Sequence, residues 1–173
     1  MKLKLASLSF ALAVAFSAHA ADSTVKLSNV HLCCGSCVKG VDTALTDVAG
    51  VKAVTDKDAG TVTLTAADVA TLQKGADALV KAGYFGKSDN KDVKVMAKTG
   101  AKGAKVHSLE VTGVHLCCPK CVHAVDDAVK SVGGVTGDDA TKGAKTFTVK
   151  GEFTDKEVFT ALQKIGLTGT AGK

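Results

Sequence analysis

The run Val30-His31-Leu32-Cys33-Cys34-Gly35-Ser36-Cys37-Val38 returns as Val114-His115-Leu116-Cys117-Cys118-Pro119-Lys120-Cys121-Val122, 84 positions further on. The offset persists downstream, where Val41, Asp42, Ala44, Val48, Gly50 and Val51 are matched by Val125, Asp126, Ala128, Val132, Gly134 and Val135. A shift that preserves the cysteines together with the apolar positions after them marks two copies of one domain.

Each copy reads as the same series of elements. Val25 to Val30 and Val106 to Val114 alternate in the way of a half-buried strand. Val38, Val41, Leu45 and Val48, and likewise Val122, Val125, Val129 and Val132, recur at helical spacing. Gly50 and Gly134 stand where a helix ends in a left-handed cap. A hairpin is expected over Val51 to Asp56 and Thr61 to Thr65, turning at Asp58-Ala59-Gly60, with counterparts at Val135 to Asp139 and Thr146 to Lys150. A second helix follows, with Val69, Leu72, Ala76, Leu79 and Val80 on one apolar face, and Val158, Leu162 and Ile165 in the other copy. Asp68 and Thr154 are its start signals, Gly83 and Gly166 its stops. The last strand is expected at Tyr84-Phe85 or Val93 to Met96, and at Leu167 to Thr170. The fold class is therefore α+β: two tandem ferredoxin-like βαββαβ domains, each a four-stranded antiparallel sheet with two helices.

The domain boundaries follow. Residues 1–20 read as a cleaved signal peptide, with Lys2 and Lys4 before the apolar run Leu5 to Phe16 and with Ala18-His19-Ala20 as the cleavage pattern. Residues 21–96 form the first domain and 106–173 the second. The Gly-, Lys- and Ala-rich stretch 97–105 between them is expected to be a flexible tether. The leader implies a periplasmic or secreted protein with no stable membrane insertion after cleavage. The formal net charge of +5 is small, two of its positive charges sit in the leader, and aromatics make up 4% of the chain. That combination argues against nucleic acid, which needs a basic face and stacking rings.

All six cysteines lie in the two repeated loops. The spacing of Cys34/Cys37, and of Cys118/Cys121, lets two sulfurs converge where a strand turns into a helix. The partial positive charge of the helix N-terminus favours thiolate there. Thiolates are soft ligands, suited to Cu(I), Zn(II) and other thiophilic ions.

Each half resembles the heavy-metal-associated domain, found in copper chaperones, in the arms of copper-transporting ATPases and in the periplasmic mercury-binding protein. That family carries Gly-Met-x-Cys-x-x-Cys between its first strand and first helix, and Ala78 to Tyr84 resembles its ending of helix two. The resemblance implies that Cys34, Cys37, Cys118 and Cys121 are the metal ligands, with Cu(I) favoured and Hg(II) or Zn(II) behind it. It also implies a metal-transporting membrane protein or another metal acceptor as partner. Leu32 and Leu116 replace the family's Met, and His31 and His115 its Gly. Cys33 and Cys117 fill a variable position, and two readings of them stand open: additional ligands that make the site trigonal, or side chains that fill space. His31 and His115 are expected to fill the loop rather than to bind. Tyr84 has Leu167 as its counterpart, so the two sites are expected to differ.

No catalytic constellation is visible, and the chain is expected to be no enzyme. The expected role is metal trafficking, buffering or detoxification. The alternatives are a thiol-disulfide redox protein, or domains held by structural disulfides or zinc. The first is disfavoured because the only proline, Pro119, lies inside the motif. Structural disulfides are disfavoured because closing a two-residue loop removes little chain entropy, and a four-cysteine structural zinc because the two cysteine groups are 84 residues apart on separate domains. Bridging of one metal between the domains remains open.

Overall fold

A computed structural model describes residues 22–172; the expected leader lies outside them. The first half runs β1 (Ser23–Ser28), α1 (Gly35–Leu45), β2 (Lys52–Asp56), β3 (Thr61–Ala66), α2 (Val69–Lys81) and β4 (Lys87–Ser88). The second runs β5 (Lys105–Thr112), α3 (Pro119–Lys130), β6 (Val135–Asp138), β7 (Thr146–Thr154), α4 (Asp155–Lys164) and β8 (Thr170–Ala171). The strands form two four-stranded antiparallel sheets, ordered β2-β3-β1-β4 and β6-β7-β5-β8. The arrangement is α+β and consistent with two ferredoxin-like units.

The local signals explain most of these elements. Asp68 caps α2 by accepting from the Thr71 amide at 2.7 Å. The β2–β3 hairpin turns where the Asp56 carboxylate accepts from the amides of Asp58 and Ala59, at 3.0 and 2.9 Å. The alternation of β1 sends Val25 and Leu27 into the core against Val62 and Leu64 of β3, with Leu72, Ala76 and Leu79 of α2 above them. In the second half Val111, Phe147 and Val149 meet Val158, Phe159 and Leu162 in the same way.

The last strands depart from expectation. β4 and β8 are two residues long and fall at Lys87–Ser88 and Thr170–Ala171. Neither Tyr84-Phe85 nor Val93 to Met96 pairs with β1. Tyr84 instead forms an antiparallel bridge to Leu167, across the boundary between the halves. Val93 is buried, and Gln73 of α2 holds Lys94 by two hydrogen bonds to its backbone, at 2.7 and 2.8 Å.

That bridge belongs to a seam made by the residues just after α2 and α4. The Thr168 amide donates to the Gly83 carbonyl at 2.9 Å, and the amides of Phe85 and His31 donate to the Gly166 carbonyl at 3.0 and 3.2 Å. Gly83 and Gly166 have φ of +90° and +79°. A Cβ on Gly83 would stand 2.4 Å from the Gly113 carbonyl oxygen and 2.6 Å from the His115 amide. On Gly166 it would stand 2.3 Å from the Asn29 oxygen and 2.5 Å from the His31 amide. Only glycine meets both demands, so each half presses the end of its second helix against the other's cysteine loop. Residues 97–105 run between the halves; Thr99 accepts from Ala171, and the Asp155 carboxylate accepts from the amides of Lys102, Gly103 and Ala104 at 2.8 to 3.0 Å.

Candidate metal centre

The two cysteine loops are built alike. After β1 the chain reverses at Asn29, whose φ is 58°, and the Val30 amide donates to the Gly60 carbonyl at 2.9 Å. Leu32 lies buried under the first loop and Leu116 under the second. Cys34 and Cys118 occupy the N-cap positions of α1 and α3 with extended backbone, and their carbonyls accept from the amides of Cys37 and Cys121 at 3.0 Å. Cys37 and Cys121 begin the buried stripes that continue through Val41 and Leu45, and through Val125 and Val129. The other four cysteines are half-buried.

The seam turns the two loops toward each other, and all six sulfurs gather in one place. Within the halves, Cys34–Cys37 and Cys118–Cys121 are 3.8 and 3.7 Å apart, and Cys33–Cys37 and Cys117–Cys121 are 3.6 and 3.7 Å. Between the halves the separations are no longer: Cys33–Cys118 3.3 Å, Cys33–Cys121 3.5 Å, Cys37–Cys117 3.4 Å, Cys37–Cys121 3.8 Å and Cys34–Cys117 3.9 Å. The 84 residues between the two cysteine groups in sequence are therefore no distance in space, and the sharing that the sequence left open is sterically available. Cys33 and Cys117 point into the cluster and do not fill space elsewhere.

Histidine and tyrosine flank the sulfurs unequally. The Tyr84 hydroxyl donates to the Cys37 carbonyl at 2.7 Å and lies 3.0 Å from Nε2 of His115. Since the hydroxyl proton goes to the carbonyl, the network assigns the Nε2 proton to His115, which donates to Tyr84. Leu167 has no hydroxyl to offer His31. Nε2 of His31 is buried and unpartnered among the described residues, and a ring nitrogen of His31 lies within 4.8 Å of the sulfurs of Cys33 and Cys121. Burial pushes the His31 imidazole below its ordinary pKa. Gly40 belongs to the same arrangement, because a Cβ there would meet the Tyr84 oxygen at 2.2 Å and the His115 ring at 2.6 Å. Its counterpart in the repeat is Ala124. A glycine in mid-helix was the one sequence signal of this contact.

The cluster shares its protons unevenly. A hydrogen bond from the Cys121 thiol favours ionised Cys37, which sits well below the ordinary thiol range, and the same bond holds Cys121 well above it. Burial keeps Cys117 protonated and pushes Cys33 up to about 12. Burial opposes ionisation of Cys118 too, but the Cys121 amide and neighbouring thiols outweigh it and bring Cys118 down to about 7. Lys120 and Ser36 are exposed.

This donor set fits a soft ion. A metal–sulfur bond of about 2.3 Å sets sulfurs about 4.6 Å apart in a linear pair, about 4.0 Å in a trigonal set and about 3.8 Å in a tetrahedral one. The separations of 3.3 to 3.9 Å lie nearest the last two. Several groups of three cysteines, or of two cysteines with His31, have their ligand atoms within 4.8 Å of one another.

No protein-family model matches the chain, and no curated protein does. Among solved structures it is similar to the N-terminal soluble domains of Bacillus subtilis CopA, seen in a solution structure. The identity is 15%, over 88% of this chain and 95% of that one, with a TM-score of 0.31. A superposition this loose carries no argument, and the functional reading below rests on the sulfur cluster itself.

Proposed function

We propose that this chain is an exported protein that binds soft metal ions, Cu(I) foremost, at one thiolate centre shared by its two halves. The observation that carries the reading is the convergence of Cys33, Cys34, Cys37, Cys117, Cys118 and Cys121 within 3.3 to 3.9 Å of their neighbours. Such a donor set prefers Cu(I), with Hg(II) and Zn(II) as competitors, over harder ions. Export is supported by the basic and apolar residues at the chain's start and by Ala18-His19-Ala20. No helix among the described residues is long and apolar enough to cross a membrane.

The role is binding and transfer, not catalysis: trafficking, buffering or detoxification of the metal. Cys34 and Cys118, half-buried at the helix starts, are the sulfurs that an acceptor's thiolates or thioethers displace first. A metal-transporting membrane protein is one such acceptor. Anaerobic titration of the reduced chain with Cu(I), Zn(II) and Hg(II) against competing chelators tests the reading. Tight uptake of Cu(I) is expected, and failure to retain any of the three ions would refute it.

A redox role is the second reading, favoured by the 3.3 Å between Cys33 and Cys118 and by the low pKa of Cys118. It predicts a reversible disulfide across the halves in the metal-free chain, seen as a shift in mass after trapping of free thiols. Oxidation to that disulfide would remove the metal centre, so export demands that the cysteines be loaded or kept reduced.

A further inference from the structure

The sulfur separations close into four triangular faces. Cys33, Cys37 and Cys121 form one, with edges of 3.6, 3.5 and 3.8 Å. Exchange of the two halves turns it into Cys37, Cys117 and Cys121, with edges of 3.4, 3.7 and 3.8 Å. Cys33, Cys118 and Cys121 form the third, with edges of 3.3, 3.5 and 3.7 Å. Its counterpart is Cys34, Cys37 and Cys117, with edges of 3.8, 3.9 and 3.4 Å. Cys37 and Cys121 belong to three faces each, Cys33 and Cys117 to two, and Cys34 and Cys118 to one.

Charge points the same way. Each metal–sulfur bond displaces a thiol proton, and with all six sulfurs bound four Cu(I) ions leave only two negative charges uncompensated. Uncompensated charge in a half-buried site is costly, and each added cation relieves it. Two separate two-cysteine sites would leave Cys33 and Cys117 idle in the middle of the cluster and would need sulfurs about 4.6 Å apart.

Resting on the metal-binding reading above, we propose that the shared centre takes a polynuclear Cu(I)–thiolate cluster, one ion per triangular face up to four. Cys33, Cys37, Cys117 and Cys121 bridge, and Cys34 and Cys118 are terminal. The first and last cysteines of each motif thus act as the cluster's inner frame, and the N-cap cysteines as its exits.

The test is native mass spectrometry of the reduced full chain loaded anaerobically with Cu(I), with X-ray absorption at the copper edge. Uptake of more than two ions with three-sulfur coordination and a short copper–copper shell is expected. Saturation at one or two ions without that shell overturns the cluster while leaving metal binding intact; no uptake at all overturns both. Cys33→Ser with Cys117→Ser keeps both two-cysteine pairs but breaks every face, and should hold two ions or fewer. Unchanged uptake in that variant also overturns the cluster.

A separate observation concerns His31, and the repeat supplies its own control. Nε2 of His115 is held by Tyr84, whereas Nε2 of His31 is buried and unpartnered among the described residues, and one ring nitrogen of His31 lies within 4.8 Å of the Cys33 and Cys121 sulfurs. We infer that His31 is a nitrogen ligand on the Cys33/Cys121 side of the centre, with a smaller part for His115, whose Nε2 is held by Tyr84. Long-range proton–nitrogen correlation on the full chain, with 15N-labelled histidine, reads each ring separately. Cu(I) loading should move a His31 ring nitrogen far more than either of His115, and His31→Phe should remove the nitrogen contribution from the copper absorption spectrum. A His31 ring that moves no more than that of His115 overturns the assignment, as does an absorption spectrum unchanged by the substitution.

Discussion

The Tyr84 hydroxyl joins the two halves by donating to the Cys37 carbonyl at 2.7 Å while lying 3.0 Å from Nε2 of His115. One side chain thereby fixes the first turn of α1 and the start of the opposite loop. Tyr84→Phe keeps the ring, removes the hydroxyl's bond to the Cys37 carbonyl and leaves a half-buried imidazole nitrogen without a partner. The expected cost is about 1–3 kcal/mol, read from urea unfolding of the metal-free chain. Since no sulfur is lost, Cu(I) capacity should stay at the wild-type value. A variant as stable as wild type would show that the hydroxyl contributes nothing to the seam.

Gly83→Ala and Gly166→Ala test the seam from the backbone side. Each introduces a Cβ within 2.4 Å of a carbonyl of the other half's loop, at a positive φ. Either change should separate the halves locally, cost at least about 1 kcal/mol through strain alone, and weaken Cu(I) binding although both residues lie outside the cysteine loops. Wild-type affinity in both variants would show that the loops do not need the contact.

Asp155 should give the chain a distinct acid response. Burial alone would raise its pKa, but the amides of Lys102, Gly103, Ala104 and Lys156 outweigh burial and hold it below the usual carboxylate value. A folded-state pKa below the unfolded one contributes stability that is present above about pH 4 and lost as pH falls through the folded value. Asp155→Asn removes the charge but not the shape. The stability gap between wild type and variant should be largest near neutrality, about 1–2 kcal/mol, and should shrink as the pH falls from about 5 to about 3. A gap independent of pH would contradict the assignment.

How far the sequence carries is clearest at the cysteines. The repeat, the helix stops at Gly83 and Gly166, and the placement of Cys34, Cys37, Cys118 and Cys121 at helix starts are local patterns, legible as spacing. The expected last strands were misplaced because Tyr84 and Leu167 carry strand-like residues whose backbone pairs across the halves and not with β1. The fate of Cys33 and Cys117 was not legible for the same reason, since it depends on where the second copy sits. Spacing shows that two loops are alike; it does not show that they face each other. Gly40, replaced by Ala124 in the repeat, was the visible trace of that contact, and only the fold explains it.

The central claim is that the halves share one metal centre, and the most direct test replaces one half's sulfurs. The chain carrying Cys117→Ser, Cys118→Ser and Cys121→Ser would be titrated anaerobically with Cu(I) against a chelator, beside the wild type. A shared centre predicts the loss of more than half the capacity and a markedly weaker affinity for what remains, because Cys33, Cys34 and Cys37 lose every sulfur across the seam. Retention of half the wild-type capacity at undiminished affinity would contradict it and return the chain to two independent sites.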